Sequence, residues 1–130
     1  MAERPLSPHL SVYKLKYTLT TSFANRLTGI LLSAGLLVLA YWLMAVAGGQ
    51  RAYVHANAVL SAGIFKLLFA GLLLAFSYHL VAGLRHLVWD TGHYLERSQS
   101  RRSAVLVVVF SLLLAAVFIY LAWLAGARVP

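Results

Sequence analysis

The stretch "LLFAGLLLAFSYHLVAGLRHLVWD", residues 67–90, decides the fold. Its first part, residues 67–84, holds no Asp, Glu, Lys or Arg and a single histidine, His79. At about 1.5 Å of rise per helical residue, a run of this length approaches the roughly 30 Å hydrocarbon core of a bilayer. Residues 27–49 and 103–127 form two further runs without a formal charge. The chain is 62% hydrophobic and 11% charged over 130 residues, and its mean hydropathy is +0.81. Soluble domains carry about 25% charged residues, so these runs read as membrane spans and not as one buried core. The pattern predicts an all-α membrane protein with three transmembrane helices, at about 22–49, 57–89 and 103–127, after a segment 1–21 on the cytoplasmic side.

Several classes of chemistry are excluded by what is missing. Without cysteine the chain has no disulfide, thiolate zinc site or all-cysteine iron–sulfur cluster, so a redox metal would need histidine or a partner. A Gly-rich dinucleotide fingerprint and a Walker loop are also absent. The net charge of +8 is topological and not a nucleic-acid footprint. Arg4, Lys14, Lys16 and Arg26 precede or open the first span, and Arg85, Arg97, Arg101 and Arg102 surround the second connection. Both groups fall on one side of a three-span protein, which the positive-inside rule makes the cytoplasm. Arg101 and Arg102 read either as a stop-transfer flank or as a contact for anionic lipid. The opening "MAERPLSPHLSVYKLKYTLTT" has neither a secretory core nor a transit-peptide pattern, which suits a mature bacterial N-terminus in the inner membrane. Pro5 and Pro8 disfavour helix there, and Leu6, Leu10, Val12, Tyr13 and Tyr17 offer an apolar surface to a soluble partner. A disordered tail is the alternative.

Within the deciding stretch, Gly83, His86 and Asp90 all lie within roughly 40° of His79 on a helix that turns about 100° per residue. Tyr78 and Arg85 point elsewhere. His79 precedes Arg85 by six residues, which sets it about 9 Å inside the membrane edge. An imidazolium is costly at that depth, whereas a neutral imidazole needs a hydrogen-bond partner or a metal. Haem ligation and an ordinary interhelical hydrogen bond both satisfy it, and Gly83 suits either a flat macrocycle or close helix packing. His79 and His86 cannot clamp one iron. They are about 10 Å apart along the helix, whereas two axial nitrogens sit about 4 Å apart across the metal. His9, His55 and His93 fall outside the depth of His79, so a second axial ligand must come from another chain. Arg85 and His86, at the membrane edge, are placed to meet haem propionates.

A second polar stripe opens the first span: Ser22, Arg26, Gly29 and Ser33, at i, i+4, i+7 and i+11, share a helix face. A hydroxyl one turn from a guanidinium suits a carbonyl that gains negative charge on reduction, as a quinone does. Arg26 as a topogenic flank, with Gly29 and Ser33 as a packing notch, is the plainer alternative.

Taken together, the stripes resemble the cytochrome b-type membrane-anchor subunits of succinate dehydrogenase. "RPLSPHLSVYK" (4–14) is similar to the family's opening segment, "SFANRLTG" (22–29) to its S-x-x-H-R-x-T-G motif, and "HLVAGLRHLVWDTG" (79–92) to its H-x-x-x-G-x-R-H-x-x-x-D motif. The resemblance implies haem b shared with a second small anchor chain that completes the helical bundle, with His79 as this chain's axial ligand. It also implies a ubiquinone site formed partly by Ser22 and Arg26, with Asp90 in support through proton delivery or by holding Arg26. An iron–sulfur subunit and a flavoprotein would be the further partners, succinate oxidation taking place on the latter. Asn25 stands where the family commonly has histidine, and asparagine hydrogen-bonds without titrating. Other readings remain open: the anchor of a quinol:fumarate reductase, a haem-free structural anchor, and a transporter subunit with Arg26, Lys66 and Asp90 as a polar path.

Overall fold

The computed structural model describes residues 17–127. The opening-segment readings on Leu6, Leu10, Val12 and Tyr13 lie outside these residues. Four helices follow one another: α1 Tyr17–Ala47, α2 Gln50–Leu60, α3 Gly63–Asp90 and α4 Arg97–Ala127. Stretches within α1 (Leu19–Ala47), α3 (Gly63–Asp90) and α4 (Arg97–Gly126) are long and apolar enough to cross a membrane. In hydrocarbon every backbone polar group must be satisfied within its own segment, and a helix of about 20 residues or more does this. The protein is an all-α, multi-pass membrane protein.

Glycine sets the first break. Gly49 has φ 86° and ψ −177°, a region open essentially only to a residue without Cβ, so α1 stops and the chain restarts as α2. The expected second span of about 57–89 is divided. Residues 50–60 form the separate short helix α2, and α3 starts at Gly63 after a turn in which the Ser61 N–H bonds the Asn57 carbonyl at 2.9 Å. Arg51, His55 and Asn57 make α2 too polar to extend a span, while Ala56 and Leu60 bury its inner face. At the other end Gly92, at φ 81°, closes α3 and accompanies a 2.8 Å bond from its N–H to the Trp89 carbonyl.

The helix α3 is central and packs against both α1 and α4. Small residues form the joints, namely Ala75, Ser77 and Ala82 on α3 and Ala104, Val107, Ser111 and Ala115 on α4. Lipid is as apolar as leucine, so membrane helices associate by close backbone approach, and small residues permit it. The buried hydroxyls are satisfied along their own helices, Ser77 Oγ donating to the Leu73 carbonyl at 2.8 Å and Ser111 Oγ to that of Val107. Large apolar side chains face outward along the spans; Leu37 is 74% exposed and Leu67 72%. Water would penalise that surface, whereas lipid or a neighbouring helix accepts it.

Ala104→Leu should force apart the α3–α4 joint, where Ala104 is buried. The expected cost is about 1–3 kcal/mol, read as a thermal midpoint lowered by several degrees in detergent. Leu113→Ala, on an exposed position of the same helix, should change the midpoint of the isolated chain far less.

Candidate functional site

His79 projects from α3 onto α1. Its Nδ1 lies 3.1 Å from the Asn25 carbonyl and 3.3 Å from Thr28 Oγ1. The Thr28 hydroxyl has its own acceptors, the Ala24 and Asn25 carbonyls, both at 2.9 Å. The arrangement is consistent when Nδ1–H donates to the Asn25 carbonyl, which leaves Nε2 with its lone pair. Nε2 makes no hydrogen bond among the described residues. A backbone carbonyl on one ring nitrogen is the usual way to orient an imidazole whose other nitrogen binds metal. The same contact braces two membrane helices without any ligand.

Glycine lets the ring lie there. A Cβ on Gly29 would stand 3.2 Å from His79 Cε1, tighter than ordinary contact. At Gly83, one turn after His79, an added Cβ would meet nothing within 4 Å, so this face of α3 is open beyond the imidazole. His86 and Asp90 continue the face as exposed side chains near the end of α3. A flat ligand approaching His79 Nε2 therefore finds a free nitrogen, an open flank and polar groups at the edge.

The Arg85 guanidinium is directed to α4. Its Nε donates to Ser103 Oγ at 2.9 Å, and its Nη2 donates to the Ser100 carbonyl at 3.0 Å and to Ser100 Oγ at 3.3 Å. It also lies 3.9 Å over the Trp89 ring, a cation–π arrangement. To reach a propionate, Arg85 would have to release these contacts. His86 sits edge-on to Trp89, with ring centroids 5.2 Å apart, and keeps its exposure.

On α1, Ser22 is half-buried and Arg26 exposed, and neither has a hydrogen-bond partner among the described residues. Gly29 is taken up by His79, and Ser33 donates to the Gly29 carbonyl at 2.9 Å. The stripe thus divides into Ser22 and Arg26, without partners among the described residues, and a packing notch. Asp90 makes no ion pair with Arg26. Asn25 Oδ1 is buried without a partner, an unmet acceptor next to the His79 contact. Tyr78 reaches α1 as well, donating to the Thr21 carbonyl at 3.1 Å. Sequence reasoning missed Thr28, the Asn25 carbonyl and the Ser100–Ser103 pair as partners. A signal existed for the last: two serines three apart at the start of a span can receive one guanidinium from a neighbouring helix end.

Comparison with known proteins adds a separate line. Residues 1–118 match the family described as succinate dehydrogenase/fumarate reductase transmembrane subunit. The chain is similar to the succinate dehydrogenase cytochrome b556 subunit of Paracoccus denitrificans, 39% identical over 112 residues, covering 86% of each chain. It is also 37% identical over 112 residues to the cytochrome b556 subunit of Rickettsia felis, covering 86% of this chain and 87% of that one. Similarity to the human mitochondrial succinate dehydrogenase cytochrome b560 subunit is 34% over 114 residues, 86% of this chain and 68% of the relative.

If Gly29 is the clearance that seats His79, Gly29→Leu should destabilise the isolated chain in detergent by about 1–3 kcal/mol, as overpacking does. Gly71→Ala, where an added Cβ meets nothing within 4 Å, should leave the thermal midpoint unchanged or raised, since alanine is the better helix former.

Proposed function

Because the chain belongs to the succinate dehydrogenase/fumarate reductase transmembrane-subunit family, we propose that it is the cytochrome b anchor of a succinate:quinone oxidoreductase, in which it holds haem b with a second chain and forms part of a ubiquinone site. The carrying observation is His79, whose Nδ1 is engaged by the Asn25 carbonyl at 3.1 Å while Nε2 is left free beside the open flank at Gly83. These residues would hold a haem from one side only, through His79. The opposite ligand would come from a second small anchor subunit, since His86 lies too far along the same helix.

Bound at this position, haem would supply a one-electron redox centre between the anchor chains. The residues of this chain have separate tasks around it. His79 would hold it through Nε2, its tautomer set by the Asn25 carbonyl at Nδ1. His86 offers an exposed donor for a propionate, and Arg85 would join it only by leaving Ser100 and Ser103. The Asn25 amide, with its unmet Oδ1, provides hydrogen bonding without titration. Ser22 donates its hydroxyl to a quinone carbonyl, and the Arg26 charge stabilises negative charge developing there. Asp90, exposed near the basic end of α3, is available to exchange protons with water.

In this reading succinate oxidation takes place on a flavoprotein, with an iron–sulfur subunit between flavin and quinone. The basic N-terminal side and second connection would face the cytoplasm of a bacterium, the chain spanning its inner membrane. Two other readings remain testable. The family's description also covers fumarate reductase, the reverse direction. The His79 contact with Asn25 would equally brace a haem-free anchor.

The purified complex should show a b-type absorption spectrum, and His79→Ala should abolish or shift it. An unaltered spectrum in that variant would remove His79 as ligand, and a wild-type complex without haem would favour the structural anchor. Ser22→Ala and Arg26→Leu should each lower quinone reduction at least tenfold while succinate oxidation with a soluble dye persists. Equal loss of both activities would point to failed assembly instead.

A further inference from the structure

Away from His79, α3 and α4 enclose a groove of about 600 Å³ at the end of the bundle where their connection lies. Its outer part is lined by Arg85, Trp89, Tyr94, Gln99 and Arg102. Its deeper part is lined by Val81, Leu106, Val107 and Phe110. Phe110 follows Arg102 by eight residues on one helix, which sets it about 12 Å further into the membrane. Polarity therefore falls along the membrane normal within one groove. Arg85, six residues after His79, is turned about 120° from it, so the groove is separate from the proposed haem face.

The charge in the groove is one-sided. Two arginines line it and no carboxylate does. Arg85 is held by serine oxygens, which do not neutralise it. Arg102 is exposed, and its guanidinium has no acceptor among the described residues. Trp89 and Tyr94 add the amphipathic rings that favour the headgroup level. A second depression, lined by Ser98, Arg101, Arg102, Val105 and Leu106, meets the first at Arg102 and Leu106. Basic side chains and apolar ones therefore lie side by side across both depressions, which matches a molecule with an anionic head and hydrocarbon tails.

We propose that this groove is a binding site for a single anionic phospholipid, its phosphate at Arg102 and Arg101 and one acyl chain running past Leu106 towards Phe110. A quinone has no charge to match the arginines, and a free phosphate would leave the apolar half of the groove unfilled. A zwitterionic lipid would fill the apolar half, but its ammonium would meet the arginines as a like charge.

The test uses the intact complex extracted from membranes and a phosphatidylglycerol bearing a photoreactive acyl chain, with labelled peptides located by mass spectrometry. Label is expected within residues 81–89 and 98–110 and should be displaced by excess phosphatidylglycerol. Phosphatidylcholine and soluble glycerol 3-phosphate should displace it at least fivefold less well. Arg102→Gln should reduce the label about fivefold, the ratio that one basic charge beside an anionic headgroup supports. Leu106→Trp, which fills the groove without altering charge, should reduce it as well, with the helical circular dichroism of both variants unchanged. Equal displacement by phosphatidylcholine, or undiminished labelling in Arg102→Gln, would reduce the groove to ordinary boundary lipid and overturn the proposal. Absence of label, with chemical crosslinks from this segment to a neighbouring subunit, would overturn it in favour of a protein-covered face.

Discussion

The approach of α1 to α3 at Gly29 and His79 governs the geometry of everything around it. Hydrophobic association cannot draw these helices together within lipid, so contact depends on side chains small enough to let backbones meet and on hydrogen bonds between helices. Gly29 supplies the first condition, since a Cβ there would stand 3.2 Å from the imidazole. The Asn25 carbonyl supplies the second, at 3.1 Å from Nδ1. Further along the same pair, a Cβ on Gly35 would fall 2.9 Å from Leu72 Cδ2, so a second close approach continues the first. Once His79 is seated, the rotation of α3 is set, and with it the direction of Gly83, His86 and Asp90.

That rotation also separates two chemically different sides of α3. One side carries the His79 imidazole against α1, with Nδ1 at the Asn25 carbonyl and the open flank of Gly83 one turn on. The other carries Arg85, whose charge is spread over Ser100, Ser103 and the Trp89 ring at the α4 joint. Hydrogen bonds to serine hydroxyls and a carbonyl let a guanidinium remain at the membrane edge without a carboxylate partner. The two sides suit different ligands. The first suits a neutral or metal-centred group within the bundle, and the second suits an anion arriving from the lipid. On α1 Ser22 and Arg26, without hydrogen-bond partners among the described residues, lie one helical turn apart near the start of the helix.

Much of the fold was legible because a bilayer imposes a simple length and polarity test. Three runs without formal charge had to be helices, and a lone histidine among leucines had to find a partner. The break after α1 was less legible: Gly48 and Gly49 are visible in the sequence, but the conformation at Gly49 that turns residues 50–60 into a separate helix is not. Arg85 shows the limit most clearly. Its distance from His79 along the chain could be read directly, yet a flexible side chain chooses among acceptors that only the folded neighbours present.

Sequence by itself determined the helical, membrane-spanning character of this protein and the spacing of His79, His86 and Asp90 along one helix, because these depend on residue type and on a fixed rise per residue. Family motifs narrowed the chemistry, with Asn25 as the departure. The tertiary structure decided which atoms meet: the Asn25 backbone, not its side chain, receives His79, Gly29 and not Gly83 is the point of close approach, and Arg85 belongs to α4. Periodicity assigns a residue to a helix face, but the angle and spacing between two helices are set by packing across them, so contacts between helices are settled only when both are in place.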